Sequence, residues 1–189
     1  DSRERRGKTD VPARTLYRQQ CDKNSHEPQP MRRDNKITKK IEMPTINPFA
    51  RPVYLMAKPA GSLCNLRCKY CYYLEKGKLY DNNEKHIMSD QLLEKFIKDY
   101  IEAQTMPEVM FTWHGGETLM RPISFYKKAL RLQQQYAGGR RIDNCIQTNA
   151  TMLTEEWCKF FHDNNFLVGV SIDGPQEFHD AYRKTATGR

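Results

Sequence analysis

The segment Cys64-Asn65-Leu66-Arg67-Cys68-Lys69-Tyr70-Cys71 constrains this chain more than any other stretch. Three cysteines at C-x3-C-x2-C spacing share one short loop, just after the apolar run Val53 to Ala57. Thiolates are soft ligands that suit iron–sulfur clusters, and three of them hold three corners of a four-iron cube. The loop has no fourth thiolate, so one iron is left open to another ligand. In the bacterial ferredoxin pattern a fourth Cys and a Pro follow closely, and here they do not. Zinc sites usually use paired C-x2-4-C units, so zinc is the weaker alternative. A disulfide framework fits poorly, because three is odd and the rest of the chain is not cysteine-dense.

The formal charge of +8 invites a nucleic-acid reading, so its location matters. Residues 1–40 carry 12 Lys/Arg against 6 Asp/Glu, a net of +6, which leaves +2 for residues 41–189. The body is near neutral, and the excess belongs to a tail. Residues 1–40 hold only seven hydrophobic residues, too few to offset chain entropy, so a disordered basic tail is expected over 1–42. Cys21 lies in it, and Met43 is a candidate native start. The near-neutral body argues against a nucleic-acid partner, and no apolar run approaches the length that spans a bilayer, so no membrane partner is expected. Six cysteines without a leader-like stretch fit a reducing, cytoplasmic setting.

From Val53 onward, strand and helix signals alternate. Strands are predicted at Val53–Ala57, Val109–Trp113, Ile142–Thr148 and Phe166–Ile172. A helix is predicted from Ser89, a good N-cap, to Gln104, with Leu92, Leu93, Phe96, Ile97, Tyr100 and Ile101 on one face. Pro122 opens a second helix as a first-turn residue, and Gly138-Gly139 ends it. Thr154 caps a third, which contains Trp157, Phe160 and Phe161. The last three strands recur at the pitch of βα units with a parallel sheet. In such folds active groups collect at the carboxyl ends of strands. The cysteine loop, Gly115-Gly116-Glu117, Gln147 and Asn149, and Ser171 and Asp173 all fall there.

Each of these also has an ordinary structural reading. Gly115-Gly116 alone is a tight turn, although two missing side chains let a ligand reach the backbone and Glu117 can accept from an ammonium group. Gln147, Asn149 and Ser171 can satisfy strand-end backbone groups. Arg183 can be a solvated charge, and Tyr70 and Tyr73 can simply pack. Cys145 and Cys158 read as small buried hydrophobes.

C-x3-C-x-aromatic-C resembles the signature of the radical S-adenosylmethionine (SAM) enzymes. Pro59 to Leu74, Phe111 to Met120, Gln147-Thr148-Asn149 and Ser171-Ile172-Asp173-Gly174-Pro175 with His179-Asp180 resemble the anaerobic sulfatase-maturating enzymes of that superfamily, a SPASM-domain subfamily. The likeness runs from about Met43 to Thr187. Two departures stand out. Thr118 follows Glu117 where Pro is common, and Ala150 stands where Gly is expected after Asn149.

The resemblance implies an α/β fold, a partial (β/α)6 radical SAM barrel with a parallel sheet and its first four βα units present. It makes 43–189 the N-terminal part of the core domain, without the second half-barrel or auxiliary-cluster domain, and without a closing helix. Cys64, Cys68 and Cys71 would hold a [4Fe–4S] cluster. SAM would meet Tyr70 through its adenine, Gly115, Gly116 and Glu117 through its amino group, and Gln147, Asn149, Ser171 and Arg183 through ribose or carboxylate. Tyr73 would face the peptide substrate, and His114 and Asp173 are weaker candidates. The implied reaction is reductive cleavage of SAM to a 5′-deoxyadenosyl radical, which takes hydrogen from Cβ of a Cys or Ser in a sulfatase and leaves formylglycine. An electron donor such as flavodoxin or ferredoxin is implied. So are two auxiliary [4Fe–4S] clusters and a proton acceptor beyond residue 189. Two other readings stay open: a radical SAM maturase of this type acting on another peptide, and a non-catalytic metal-binding module.

Overall fold

The computed structural model describes residues 51–79, 86–185 and 187–188; the tail and Met43 lie outside the described residues. Four strands, β1 (Met56–Ala57), β2 (Glu108–Trp113), β3 (Arg141–Thr148) and β4 (Leu167–Val170), form one parallel sheet in sequence order. Parallel neighbours need crossovers, and helices supply them. Between β1 and β2 lie α1 (Tyr73–Lys76), a single 3-10 turn (Gly77–Leu79) and α2 (Asp90–Glu102). Next come α3 (Ile123–Tyr136) before β3, α4 (Glu155–Asp163) before β4, and α5 (Gln176–Tyr182) after it. Strands added one after another in sequence order make the arc of a (β/α) barrel.

Alternation along the strands sets which face is buried. Val109, Phe111 and Trp113 of β2 and Asn144, Ile146 and Thr148 of β3 are buried under the helices, while Met110, Thr112, Cys145 and Gln147 on the other face are only half-buried. The helix-facing core is aromatic. Trp113 meets Phe125 and Tyr126 edge-on, and Tyr126 continues to Trp157. Leu93, Ile97 and Ile101 of α2 are fully buried, each contributing roughly 1.5–3 kcal/mol. A polar trio within this aromatic core is satisfied internally. Trp113 Nε1 donates to Asn144 Oδ1 at 2.8 Å, and Asn144 and Gln133 exchange two bonds of 2.9 Å.

Caps behave as the sequence predicts: Ser89 accepts from Leu92 N–H, and Thr154 from Trp157 N–H. Five expectations need correction. The first strand is two residues long, with Val53 to Met56 exposed, because β1 pairs on one side only. The fourth strand spans Leu167–Val170, shorter than predicted, for the same reason. Pro122 is the N-cap, and its helix starts at Ile123; Leu92 is exposed rather than on the buried face. A helix does follow the last strand, α5, seven residues long with no buried residue, too short for its apolar spacing to announce it.

Candidate functional site

The cysteine loop leaves the carboxyl end of β1 and is tied down from three sides. The first tie is at the end of β2. Gly116 N–H donates to Gly61 O at 2.9 Å and Glu117 N–H to Leu63 O at 2.7 Å. A Cβ on Gly116 would sit 2.1 Å from the Leu63 carbonyl oxygen, so the loop backbone occupies the space a side chain would need. Gly115, at φ +122°, holds a conformation that L side chains rarely adopt. The glycines are therefore first of all the seat of the loop.

The second tie comes from the end of β3. The Asn149 amide donates to Asn65 Oδ1 at 2.9 Å and faces Cys64 Sγ at 3.7 Å, while Asn65 Nδ2 donates to Thr151 Oγ1 at 2.7 Å. The third is the segment after α5. Arg67 N–H donates to Lys184 O at 2.6 Å, Lys69 N–H donates to Tyr182 O at 2.9 Å, and Leu66 bridges Thr185 antiparallel. Asn65, Thr151 and this strand-like clamp were missed in the sequence. Their partners lie more than 80 residues away, and no local pattern marks them.

Glu117 is 1% exposed. Its Oε1 accepts from Leu119 N–H at 2.9 Å and Thr148 Oγ1 at 2.7 Å, and its Oε2 from Asn149 N–H at 2.8 Å. A buried carboxylate needs such donors, and here they hold the end of β3 against the end of β2. The ammonium contact expected of Glu117 thus falls on a carboxylate already engaged with internal donors.

Gln147 Nε2 donates to Ser171 Oγ at 2.8 Å, reaching across Gly169 from β3 to the end of β4. Asp173 is the centre of a second cluster. It accepts from the Tyr70 hydroxyl and pairs with Arg183 Nη2 at 3.0 Å, and the Arg183 guanidinium stands 5.7 Å from the Tyr70 ring centroid. Arg183 Nε is buried without a hydrogen-bond partner. Lys69, Tyr70, Asp173, Phe178, Tyr182 and Arg183 line an open recess of about 730 Å³ beside the cysteine loop. Burial, with the Asp173 bond, pushes the Tyr70 hydroxyl up to about 12. Tyr73 stacks on Tyr72 with centroids 4.2 Å apart, and the Lys58 ammonium lies over its ring at 4.9 Å. His114 accepts the Gly115 N–H on Nδ1 at 2.7 Å, and burial lowers its pKa.

The donor set of the loop fits an iron–sulfur cluster. Cys64, Cys68 and Cys71 are all free thiols, and Cys64 Sγ accepts the Leu66 N–H at 3.3 Å, the kind of amide–sulfur bond that supports cluster thiolates. Burial raises the pKa of Cys64 and Cys68, with Arg183 opposing the shift at Cys68. Metal loading must then displace protons from these thiols. Among the described residues no three Cys, His, Asp or Glu side chains converge as ligands of one ion would. A cube asks instead for thiolates spread over separate irons. Cys145 lies half-buried on the open face of β3, its Sγ 3.3 Å from Thr112 Oγ1, and Cys158 lies half-buried in α4. Among the described residues no helix is long and apolar enough to cross a membrane.

Comparison with known proteins bears on the family. A serine-type anaerobic sulfatase-maturating enzyme from Bacteroides thetaiotaomicron is 70% identical over 145 residues, covering 77% of this chain and 35% of that protein. A cysteine-type enzyme from Clostridium perfringens is 37% identical over 138 residues, covering 72% of this chain and 37% of its own length. The solved structure of native anSMEcpe with bound AdoMet and Cp18Cys peptide superposes with a TM-score of 0.63 at 37% identity, over 71% of this chain and 35% of that one. The chain therefore spans about a third of the length of these relatives. The model of the radical SAM superfamily matches residues 59–189, and the chain belongs to that superfamily.

Proposed function

We propose that this chain is the cluster- and SAM-binding part of an anaerobic sulfatase-maturating enzyme, converting a Ser or Cys of a sulfatase polypeptide to formylglycine. The observation that carries it is the cysteine trio at the carboxyl end of a parallel sheet, within a stretch 70% identical to a serine-type enzyme of that kind. That identity favours Ser as the residue oxidised. When bound, the [4Fe–4S] cluster and SAM supply one electron and a strong hydrogen-atom acceptor.

The chain's own residues do the holding. Cys64, Cys68 and Cys71 ligate the cluster. The Gly115–Glu117 segment receives the amino group of SAM at its backbone, with the Glu117 carboxylate fixing the ends of β2 and β3 beneath it. Ser171, Gln147 and Arg183 stand at the end of β4 and beyond it to orient ribose and carboxylate, with Asp173 holding Arg183. Tyr70 lies along the recess for the adenine, and Tyr73 faces the peptide. Residues 43–189 are the first part of the core domain. The proposal extends to auxiliary [4Fe–4S] clusters in a further domain and to an electron donor of the flavodoxin or ferredoxin class. These rest on the family resemblance.

The test uses the full-length protein, prepared anaerobically and given dithionite, SAM and sulfatase-derived peptides carrying Ser or Cys. Formation of 5′-deoxyadenosine and of a peptide aldehyde is expected. Alanine at Cys64, Cys68 or Cys71 abolishes both, whereas alanine at Cys145 or Cys158 leaves them. 5′-Deoxyadenosine without aldehyde from either peptide overturns the sulfatase assignment and leaves a maturase of another peptide. Neither product from the wild-type protein overturns the whole reading.

A further inference from the structure

The sequence marks Asn149 as a strand-end polar residue, and its surroundings give it a different task. Both halves of its side chain are committed inside the protein. Oδ1 accepts from the Thr151 backbone N–H at 3.0 Å and from Thr151 Oγ1 at 2.7 Å. A backbone N–H can only donate, so the oxygen of the amide must face Thr151 and the NH2 must face the cysteine loop. That NH2 divides its protons between Asn65 Oδ1 at 2.9 Å and Cys64 Sγ at 3.7 Å. Asn65 closes the circuit by donating to Thr151 Oγ1 at 2.7 Å. The backbone is pinned as well, since Asn149 N–H donates to the buried Glu117 carboxylate at 2.8 Å. Three side chains thus form a closed ring that holds one amide N–H against one sulfur.

We infer that Asn149 is a tuning residue, setting the reduction potential of the iron–sulfur group ligated by Cys64 through an amide N–H to its Sγ. The inference rests on the functional reading above. Reduction places extra negative charge on the cluster and its thiolates. A donor aimed at a ligating sulfur stabilises that charge and raises the potential, alongside net charge and solvent exposure. Leu66 N–H supplies one such bond from within the loop, at 3.3 Å. The Asn149 bond differs because it comes from another strand. It couples the potential to the docking of the loop on β3.

The experiment is potentiometric EPR on the reconstituted full-length protein, following the cluster whose signal changes when SAM is added. The variants are Asn149→Leu, which keeps the volume and removes the amide, and Thr151→Val, which unlocks the ring at an exposed position. A more negative midpoint is expected for both, with the larger shift in Asn149→Leu. A shift in Asn149→Leu alone still supports the amide–sulfur bond. A loaded Asn149→Leu protein with the wild-type midpoint, or a more positive one, overturns the inference. If Asn149→Leu does not load its cluster, Thr151→Val decides by the same criterion. A wild-type protein without a SAM-responsive cluster would instead defeat the functional reading itself, so the two failures are distinct.

Discussion

Replacing Gly116 by Ala tests the claim that the glycine pair seats the cysteine loop. A Cβ there would lie 2.1 Å from Leu63 O, 2.6 Å from Leu63 C and 2.7 Å from Ser62 C. All three are backbone atoms, so no rotamer change relieves the clash. Ordinary contact begins at 3.4 Å, so the loop must retreat by 3.4 − 2.1 = 1.3 Å. That movement breaks Gly116 N–H to Gly61 O and Glu117 N–H to Leu63 O, the two bonds that join the loop to β2. Two lost hydrogen bonds cost about 0.5–1.5 kcal/mol each, and overpacking adds about 1–3. The expected destabilisation is roughly 2–6 kcal/mol by urea denaturation, together with a fall in iron and sulfide retained after reconstitution. Gly77→Ala is the control, because its added methyl would find only Ser62 Oγ at 3.6 Å; a change within about 0.5 kcal/mol is expected. A Gly116→Ala protein as stable and as iron-rich as the wild type would refute the argument.

Three further outcomes are expected. His114 has a pKa held below 6.5 by burial and by Lys58, so its contribution is present above pH 6.5 and is lost as pH falls from there through the folded value. Urea midpoints at pH 7.5 and 5.5 should differ less in His114→Asn, which keeps an acceptor for Gly115 N–H and cannot titrate. Gln133→Leu leaves the buried Asn144 NH2 without its acceptor and should cost about 1–3 kcal/mol in denaturant. Ala150 sits at φ +64°, a left-handed conformation costing about 1–2 kcal/mol in a residue with a Cβ. After about 0.4–1 kcal/mol for the freer unfolded glycine, Ala150→Gly should raise stability by up to roughly 1.6 kcal/mol, read as a higher urea midpoint.

What the sequence disclosed, and what it hid, divides along sequence separation. Helix α2 was legible because Ser89 caps it and Leu93, Ile97, Tyr100 and Ile101 repeat at helical spacing. Strands β2 and β3 were legible as apolar runs between turn residues, and parallel pairing followed from their pitch. Helix α5 was not, because Gln176–Tyr182 is only about two turns long, and Phe178, Ala181 and Tyr182 carry the helical spacing through one turn alone. At the site, placement was readable: the cysteine loop, the glycine pair and the polar groups do lie at the carboxyl ends of the strands. The direction each polar group faces was not. Glu117 reads as an acceptor waiting for a ligand, yet its carboxylate is satisfied from β3, some 31 residues on. Tyr70, Asp173 and Arg183 read as separate candidates, yet they share one set of bonds across 103 residues.

The arrangement explains why such a loop can be short, polar and still ordered. Between Cys64 and Cys71 only Leu66 and Cys68 are buried, so packing of its own cannot fix the loop's shape. Its order comes from elsewhere: two backbone bonds from the end of β2, an amide ring from the end of β3, and a strand-like clamp from residues 182–185. These supports follow three successive strands, so the loop takes its final form only once β2, β3 and β4 are aligned. Cluster binding and sheet assembly are therefore coupled in one direction that can be measured. A change that loosens the sheet away from the cysteine loop, such as Gln133→Leu beneath β3, should also lower iron retention on exposure to a chelator. A change on the outer face of α4, such as Lys159→Ala, breaks only an exposed pair with Asp163 and should leave retention unaltered. Equal retention in the two variants would mean that the loop is ordered by the metal alone, and that the three supports merely record it.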